Sequence, residues 1–211
     1  MKRFALCAFL LGLTLIFMSS FSVFGQEMPK YMAVKGGFYS PTDDLDDLDG
    51  GFAGEIVIGK YYRPTLAVEG GIGRFEADGS ETEFIPGLGI VTLESDVSVT
   101  TIFVIIKGFH PIETGELFIG GGIGIGFADI DIDISSGGLG SDSFSDDDTV
   151  FGFQFLAGAN FNITDKCFLG VEGKFLITND AEASGTLFGV PIETDSNANG
   201  YIITGVLGFR F

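Results

Sequence analysis

Apolar and polar residues alternate with a period of two along most of the chain after Gln26. Successive side chains of a β-strand point to opposite faces, so this alternation predicts strands with one large apolar face. No convincing helical pattern follows Gln26, and the sequence therefore predicts an all-β protein. Eight runs rich in Val, Ile, Phe, Tyr and Gly carry the pattern: 31–41, 51–62, 64–77, 94–109, 115–134, 149–161, 166–178 and 199–211.

The second face of these predicted strands carries small residues instead of charged ones. In the fifth run, the odd positions of 117–127 are mostly Leu, Ile and Phe, whereas the even positions of 120–126 are all glycine. A soluble sandwich would carry many charged residues on its water-facing side, whereas a narrow barrel needs small residues inside. The pattern therefore favours a closed, eight-stranded antiparallel up-and-down transmembrane β-barrel. In the fourth run both faces of 101–106 are apolar, and the pattern does not decide which face points inward.

The connections between the runs alternate in length. Short turns are predicted at 62–65, 111–115 and 162–165, and longer polar loops at 41–50, 77–93, 135–148 and 179–199. Outer-membrane barrels combine short periplasmic turns with longer external loops. We therefore expect both chain ends on the periplasmic side and long acidic loops outside.

The first 25 residues are typical of a secretory signal peptide. Lys2 and Arg3 precede an apolar run of about 15 residues, which ends before small residues leading to Gly25. The run is shorter than the ~20 residues of a membrane-spanning helix, although a retained helical anchor is the alternative. We predict a cleaved signal peptide over 1–25 and a barrel domain over 26–211.

The composition of the chain argues against several classes of protein. The chain has 29 acidic and 11 basic residues, for a net charge of −18, and removal of Lys2 and Arg3 leaves about −20. This balance argues against nucleic acid as a partner, because phosphates require a basic surface. The 23 Phe residues argue against a disordered acidic protein, so charge and hydrophobicity must be segregated along the chain. Cys167 is the only cysteine after the signal peptide and leaves no internal disulfide.

The final segment, 200–211, has alternating apolar positions and ends in Phe. It resembles the closing strand of bacterial outer-membrane barrels, and the whole mature chain resembles the OmpA/OmpX/OmpW-like small barrels. The resemblance implies a location in the bacterial outer membrane, with lipid as the surroundings of the barrel. It also implies that the barrel-assembly machinery reads the last strand through the following residues: Tyr201, Leu207, Phe209 and Phe211.

Charged residues also occur on the face predicted to line the barrel. Four are basic and three acidic, so they can pair, and pairing is what makes a buried charge tolerable. Two interpretations are open: a structural salt-bridge network that fills a closed barrel, or a narrow path whose selectivity these charges set. The predicted lumen charges are Lys35, Glu55, Glu69, Lys107, Glu172, Lys174 and Arg210.

Three aspartates, Asp129, Asp131 and Asp133, alternate with isoleucines at the end of the fifth run. The acidic positions break phase with the preceding apolar face, which predicts a β-bulge or an exit from the membrane band. Alternating carboxylates are weak candidates for a cation such as Ca²⁺, because the calcium-loop pattern is missing; a solvated strand extension is the alternative.

Little in the sequence supports catalysis. The single histidine, His110, lies at a predicted periplasmic turn, and one Cys with one His makes no soft-ligand metal site. We expect no cofactor. The sequence predicts a non-enzymatic, monomeric outer-membrane barrel with a structural or surface-interaction role, in which acidic loops contact divalent cations and lipopolysaccharide. The alternatives are a narrow channel for small hydrophobic or ionic solutes, and a soluble periplasmic β-sandwich or lipocalin-like binder.

Overall fold

The computed structural model describes residues 28–42, 48–85, 89–136, 140–187 and 190–211. The predicted signal peptide and most of the first acidic loop, 43–47, lie outside these ranges. Within them, no helix is long and apolar enough to cross a membrane. The described strands are β1 (Lys30–Pro41), β2 (Asp49–Arg63), β3 (Leu66–Ile85), β4 (Gly89–Ile112), β5 (Gly115–Ser136), β6 (Gly140–Asn162), β7 (Cys167–Thr178), β8 (Asp180–Leu187), β9 (Val190–Asn197) and β10 (Gly200–Arg210).

Eight of these strands close into an antiparallel barrel. Their order around the ring is β1-β10-β7-β6-β5-β4-β3-β2, and the pairing of β1 with β10 closes it. Closure satisfies the backbone groups that would otherwise form open edges, which is the requirement for strands in lipid. The predicted eight-stranded barrel is therefore confirmed. Strands β8 and β9 form a separate two-stranded hairpin.

The large apolar face of each barrel strand points outward. Phe38, Ile119 and Ile203 are 74%, 70% and 64% exposed, and many other large apolar residues share this outer belt. The fourth run, which the pattern left undecided, is resolved by the structure. Phe103, Ile105 and Lys107 of β4 point inward and are buried, whereas Val104 and Ile106 point outward.

The small inner face makes room for aromatic rings. A Cβ atom added at Gly59 would lie 2.1 Å from the ring of Tyr31, and one at Gly208 would lie 2.0 Å from the ring of Phe168. Any side chain at these positions would collide with the ring. The inward glycines are thus a condition for filling so narrow a barrel.

The two ends of the barrel differ. We call the end with the short connections at 64–65, 113–114 and 163–166 the turn end. Both ends of the barrel sheet also lie there, since the backbone of Lys30 pairs with that of Phe211. We call the opposite end, where β3–β4, β5–β6 and β8–β9 turn, the hairpin end. The predicted short turns are confirmed.

Three predicted long loops are in fact mostly strand. Pairing of β3 with β4 continues to Ile85–Gly89, pairing of β5 with β6 continues to Ser136–Gly140, and 180–197 forms the β8–β9 hairpin. The prediction of loops over 77–93, 135–148 and 179–199 was wrong because polarity was taken as a sign of irregular structure. These segments are rich in polar residues, yet cross-strand pairing continues through them.

The predicted β-bulge near Asp129 is also absent. β5 keeps an uninterrupted register with both neighbours from Gly115 to Ser136. Asp129, Asp131 and Asp133 are exposed on the same outward face as Ile123, whereas Ile130 lies on the inward face and is buried. The two faces exchange polarity while the strand runs on, as expected where a strand leaves lipid for water.

Candidate functional site

The barrel centre holds six buried charged side chains, three Lys and three Glu, each between 1% and 7% exposed. They come from β1, β2, β3, β4 and β7, whose register brings their inward positions to one level; Lys35, for example, lies directly opposite Glu55. We call this group the central cluster. Its members are Lys35, Glu55, Glu69, Lys107, Glu172 and Lys174.

Four members of the central cluster form a closed ring of ion pairs. Lys35 Nζ donates to Glu69 Oε1 at 2.9 Å and to Glu172 Oε1 at 2.8 Å. Lys107 Nζ donates to the other oxygens of the same carboxylates, Glu69 Oε2 at 2.9 Å and Glu172 Oε2 at 2.7 Å. The hydroxyl of Tyr31 donates to Glu69 Oε2 at 2.8 Å. Every carboxylate oxygen in this ring therefore accepts a hydrogen bond from a lysine.

The remaining two members are attached to the ring. Lys174 Nζ donates to Glu55 Oε1, and Glu55 Oε2 lies 3.3 Å from Lys35 Nζ. Lys107 and Lys174 also lie 4.6 Å from the ring centroids of Phe118 and Phe103. Three positive and three negative charges leave no net charge, which limits the cost of removing them from water.

Apolar layers cover the central cluster on both sides. The layer toward the turn end contains mainly aromatic rings, and the layer toward the hairpin end contains aromatic and aliphatic side chains. The charged centre is therefore enclosed by protein. The turn-end layer includes Tyr31, Tyr61, Phe109, Phe118 and Phe168, and the hairpin-end layer includes Tyr39, Phe75, Val99, Val150, Leu176 and Ile202.

The seventh predicted lumen charge, Arg210, lies in a different cluster. Its guanidinium donates to Glu116 Oε1 at 2.9 Å and to Asn162 Oδ1 at 2.7 Å, near the turn end. Glu116 Oε1 also accepts hydrogen bonds from Tyr61 and Asn160. The sequence prediction missed Glu116 because it borders a predicted turn. Its position two residues before Phe118, on the inward phase of β5, was the signal available.

The residues predicted to act as an assembly signal share one face of β10. Tyr201, Leu207 and Phe209 alternate along the outward side, and the final Phe211 stacks near Phe209 with ring centroids 6.4 Å apart. Arg210 between them points inward. The last strand therefore presents an apolar outer side to lipid and a polar anchor to the interior.

The acidic outward face of β5 continues onto neighbouring strands. Asp131 lies opposite Asp96 of β4, and Asp129 lies opposite Asp147 of β6. Within the described ranges, no group of three or more His, Cys, Asp or Glu side chains has an arrangement that could hold a metal ion. His110 is exposed at the turn end.

Comparison with known proteins places this barrel in a family. A profile for the outer membrane protein beta-barrel domain matches residues 8–211. The chain belongs to this family. It is accordingly a bacterial outer-membrane protein, and the interpretation as a soluble periplasmic sandwich or lipocalin-like binder is wrong. No curated protein sequence is significantly similar to the chain.

Solved structures share the fold of this family member at low sequence identity. A major outer membrane protein from Thermus thermophilus has a TM-score of 0.53 and 12% identity, covering 87% of this chain and 99% of that one. Ail, the attachment invasion locus protein of Yersinia pestis, has a TM-score of 0.51 and 16% identity, covering 88% and 100%. The outer membrane protease OmpT from Escherichia coli has a TM-score of 0.49 and 9% identity, covering 88% and 94%. Likeness at such identities shows the fold alone, and a fold by itself decides neither for nor against enzymatic activity.

Proposed function

We propose that this family member is a closed, non-enzymatic barrel with a structural or surface-interaction role. The observation that carries the proposal is the central cluster, whose paired charges fill the lumen between two apolar layers. A conducting barrel needs a continuous polar path along its axis. Here the charges are engaged with one another and leave no such path.

The cost of opening the lumen supports this function. A path through the centre would separate Lys35 from Glu69 or Glu172, with which it pairs at 2.9 and 2.8 Å. Leaving one partner of a buried ion pair uncompensated costs about 3–5 kcal/mol. Such a cost keeps an open state below about 1% of the population.

The surface role is assigned to the hairpin end. There β4, β5 and β6 turn acidic side chains outward, including Asp96, Asp131 and Asp147. Such carboxylates suit divalent cations that bridge the phosphates of lipopolysaccharide. We propose these cations and lipopolysaccharide as partners, with the protein acting as a monomer.

Conductance measurements distinguish this proposal from a narrow channel. We expect the refolded full barrel to produce no single-channel openings in planar bilayers, because the central cluster is closed. A general porin, reconstituted under the same conditions, controls for insertion. Regular openings of the wild-type protein, abolished by Lys35→Met, would contradict the proposal and support a path for ions.

A further inference from the structure

Two lysines lie directly opposite each other on the outer surface of the barrel at the turn end. Lys30 begins β1 and pairs in register with Lys60 of β2. We call them the lysine pair. The amide of Tyr61 donates to the carbonyl of Pro29 at 3.1 Å, so the lysine pair is a non-hydrogen-bonded pair, in which side chains lie closest together. Neither lysine forms an ion pair within the described part of the chain. Like charges directly opposite each other destabilise a strand pair, and an anion bound between them would relieve the repulsion.

The lysine pair lies at the edge of the apolar outer belt. The next outward positions on the same two strands are Met32 and Ile58, which lie opposite each other and are exposed. On the other side, toward the turn, Lys60 Nζ lies 5.5 Å from the ring centroid of Tyr62. Aromatic side chains mark the level of the lipid headgroups in outer-membrane barrels. The ammonium groups of the lysine pair therefore lie where the phosphates of membrane lipids are found.

The charge of the turn end differs from that of the acidic hairpin end. The exposed acidic residues Glu113 and Asp165 belong to the β4–β5 and β6–β7 turns, whereas the lysine pair lies on β1 and β2. Positive charge without a counter-charge in the protein favours an anionic partner. Four basic side chains in the described part of the chain have no carboxylate partner, and all of them lie at the turn end: Lys30, Lys60, Arg63 and Lys166.

We propose that the lysine pair binds the phosphate of an anionic phospholipid in the periplasmic leaflet of the membrane. The short turns of outer-membrane barrels face the periplasm, so the lipids at this end are those of that leaflet. The acyl chains lie along Met32 and Ile58, and then along Val34 and Ile56, which are also opposite each other and exposed. A soluble anion would leave this apolar surface uncovered. A zwitterionic lipid carries an ammonium group of its own, which the lysine pair repels.

Tryptophan fluorescence of the refolded full barrel in vesicles tests this site. The chain contains no tryptophan, so Tyr62→Trp places a single reporter beside the lysine pair. The probe is phosphatidylglycerol brominated near the glycerol ends of its acyl chains and diluted into phosphatidylcholine. Brominated phosphatidylcholine at the same content gives the reference. We expect enrichment of the anionic lipid by about fivefold for each lysine, and hence stronger quenching by brominated phosphatidylglycerol.

Lys30→Gln combined with Lys60→Gln should abolish this preference for the anionic lipid. The matched control combines Arg63→Gln with Lys166→Gln, which removes two positive charges from the same end, leaves the lysine pair intact and should keep the preference. Equal losses in the two double variants would show a general attraction of anionic lipid to the turn end and overturn the proposal. Equal quenching by both brominated lipids in the Tyr62→Trp barrel would overturn it as well.

A second reporter position tests whether the preference is local. Phe161→Trp, an outward aromatic position near the same end on β6, should show little preference, because β6 is not adjacent to β1 or β2. An equal preference at both reporters would contradict a site at the lysine pair. Inorganic phosphate, compared with chloride at equal ionic strength, should leave the preference unchanged; its loss in phosphate would assign the lysine pair to a soluble anion and overturn the proposal. Gel mobility before and after boiling confirms that each variant is folded.

Discussion

The charged side chains inside this barrel are stabilised more by their ion pairs than by their burial. Lys107 is 4% exposed and has two carboxylate partners, Glu69 and Glu172, with its ammonium over the ring of Phe118. Removing one member of such a set leaves the others charged and uncompensated. The cost of the change therefore reflects the partners left behind more than the bonds that are lost.

Lys107→Met tests this view of the central cluster. We expect it to lower the free energy of unfolding by about 3–5 kcal/mol, because Glu69 and Glu172 would each lose one of their lysine partners. Lys60→Met is the control, because Lys60 is on the outward phase of β2 and forms no ion pair in the described structure. Urea unfolding in lipid vesicles measures both. Equal, small losses would show that the cluster contributes little.

At the scale of the strands, the hydrogen-bonded ladder of β5 continues without a break from the apolar outer belt into the acidic hairpin end. The outward face of β5 is apolar as far as Phe127 and acidic from Asp129 onward, while the register stays uninterrupted. On the inward face the order is reversed, with glycines first and isoleucines from Ile130 onward. The strand thus changes environment without changing its geometry.

Arginine substitutions along β5 locate the point at which its outward face passes from lipid to water. Ile123→Arg, at a position 62% exposed in the outer belt, should cost about 2–4 kcal/mol if the site faces lipid near the midplane. Asp131→Arg, on the same face at the hairpin end, should change stability by less than about 0.5 kcal/mol. Unfolding in vesicles provides the comparison. Similar costs at both positions would contradict the proposed membrane boundary.

The extension of β6 illustrates how an edge is protected. Pairing with β7 ends at Gly152–Thr178; beyond this point β6 continues its ladder with β5, and β8 packs beside it. Natural proteins use charged residues at such edges to prevent association with another chain. Here aspartate side chains also accept hydrogen bonds from the backbone amide of the following residue: Asp142 from Ser143, Asp146 from Asp147 and Asp148 from Thr149.

Replacement of all three of these aspartates by Ala should promote self-association of the refolded barrel, because it removes the acceptors and the charge from the edge. Analytical ultracentrifugation in detergent measures the fraction of dimers and larger species. The control replaces Asp129, Asp131 and Asp133 by Ala. This change removes the same charge from β5, which pairs with a strand on each side. Equal association of both triple variants would point to net charge and not to the edge.

At the scale of the whole molecule, closure depends on the last strand. β10 pairs with β1 and β7, and its final residues combine outward aromatics with the inward anchor Arg210. We propose that the outward residues, Phe211 among them, are read by the barrel-assembly machinery. Arg210 then holds the end of the strand through Glu116.

Phe211→Ala separates recognition from stability. In cells it should reduce the amount of folded, heat-modifiable barrel severalfold, whereas refolding into vesicles without the machinery should change little. Phe161→Ala is the matched control, since Phe161 is an outward aromatic near the same end on β6. If both variants assemble equally well in cells, the proposed role of Phe211 is wrong.

Much of the architecture could be predicted because its determinants are local. Period-two alternation, the glycines of β5 and the short turns depend on neighbouring residues, and contact with lipid leaves a clear pattern in them. The same reasoning selected all six members of the central cluster as inward positions. It failed for the hairpin end, because segments rich in polar residues were taken as loops although strand pairing continues through them.

The sequence by itself determined that the strands have a large apolar face and a small one, since that alternation follows from the geometry of each strand alone. Only the tertiary structure decided that Lys107 shares two carboxylates with Lys35, and that Arg210 lies in a separate cluster. These contacts join residues far apart in the chain, and they depend on register and on closure of the ring. Pairing between distant strands cannot be read from the composition of either one.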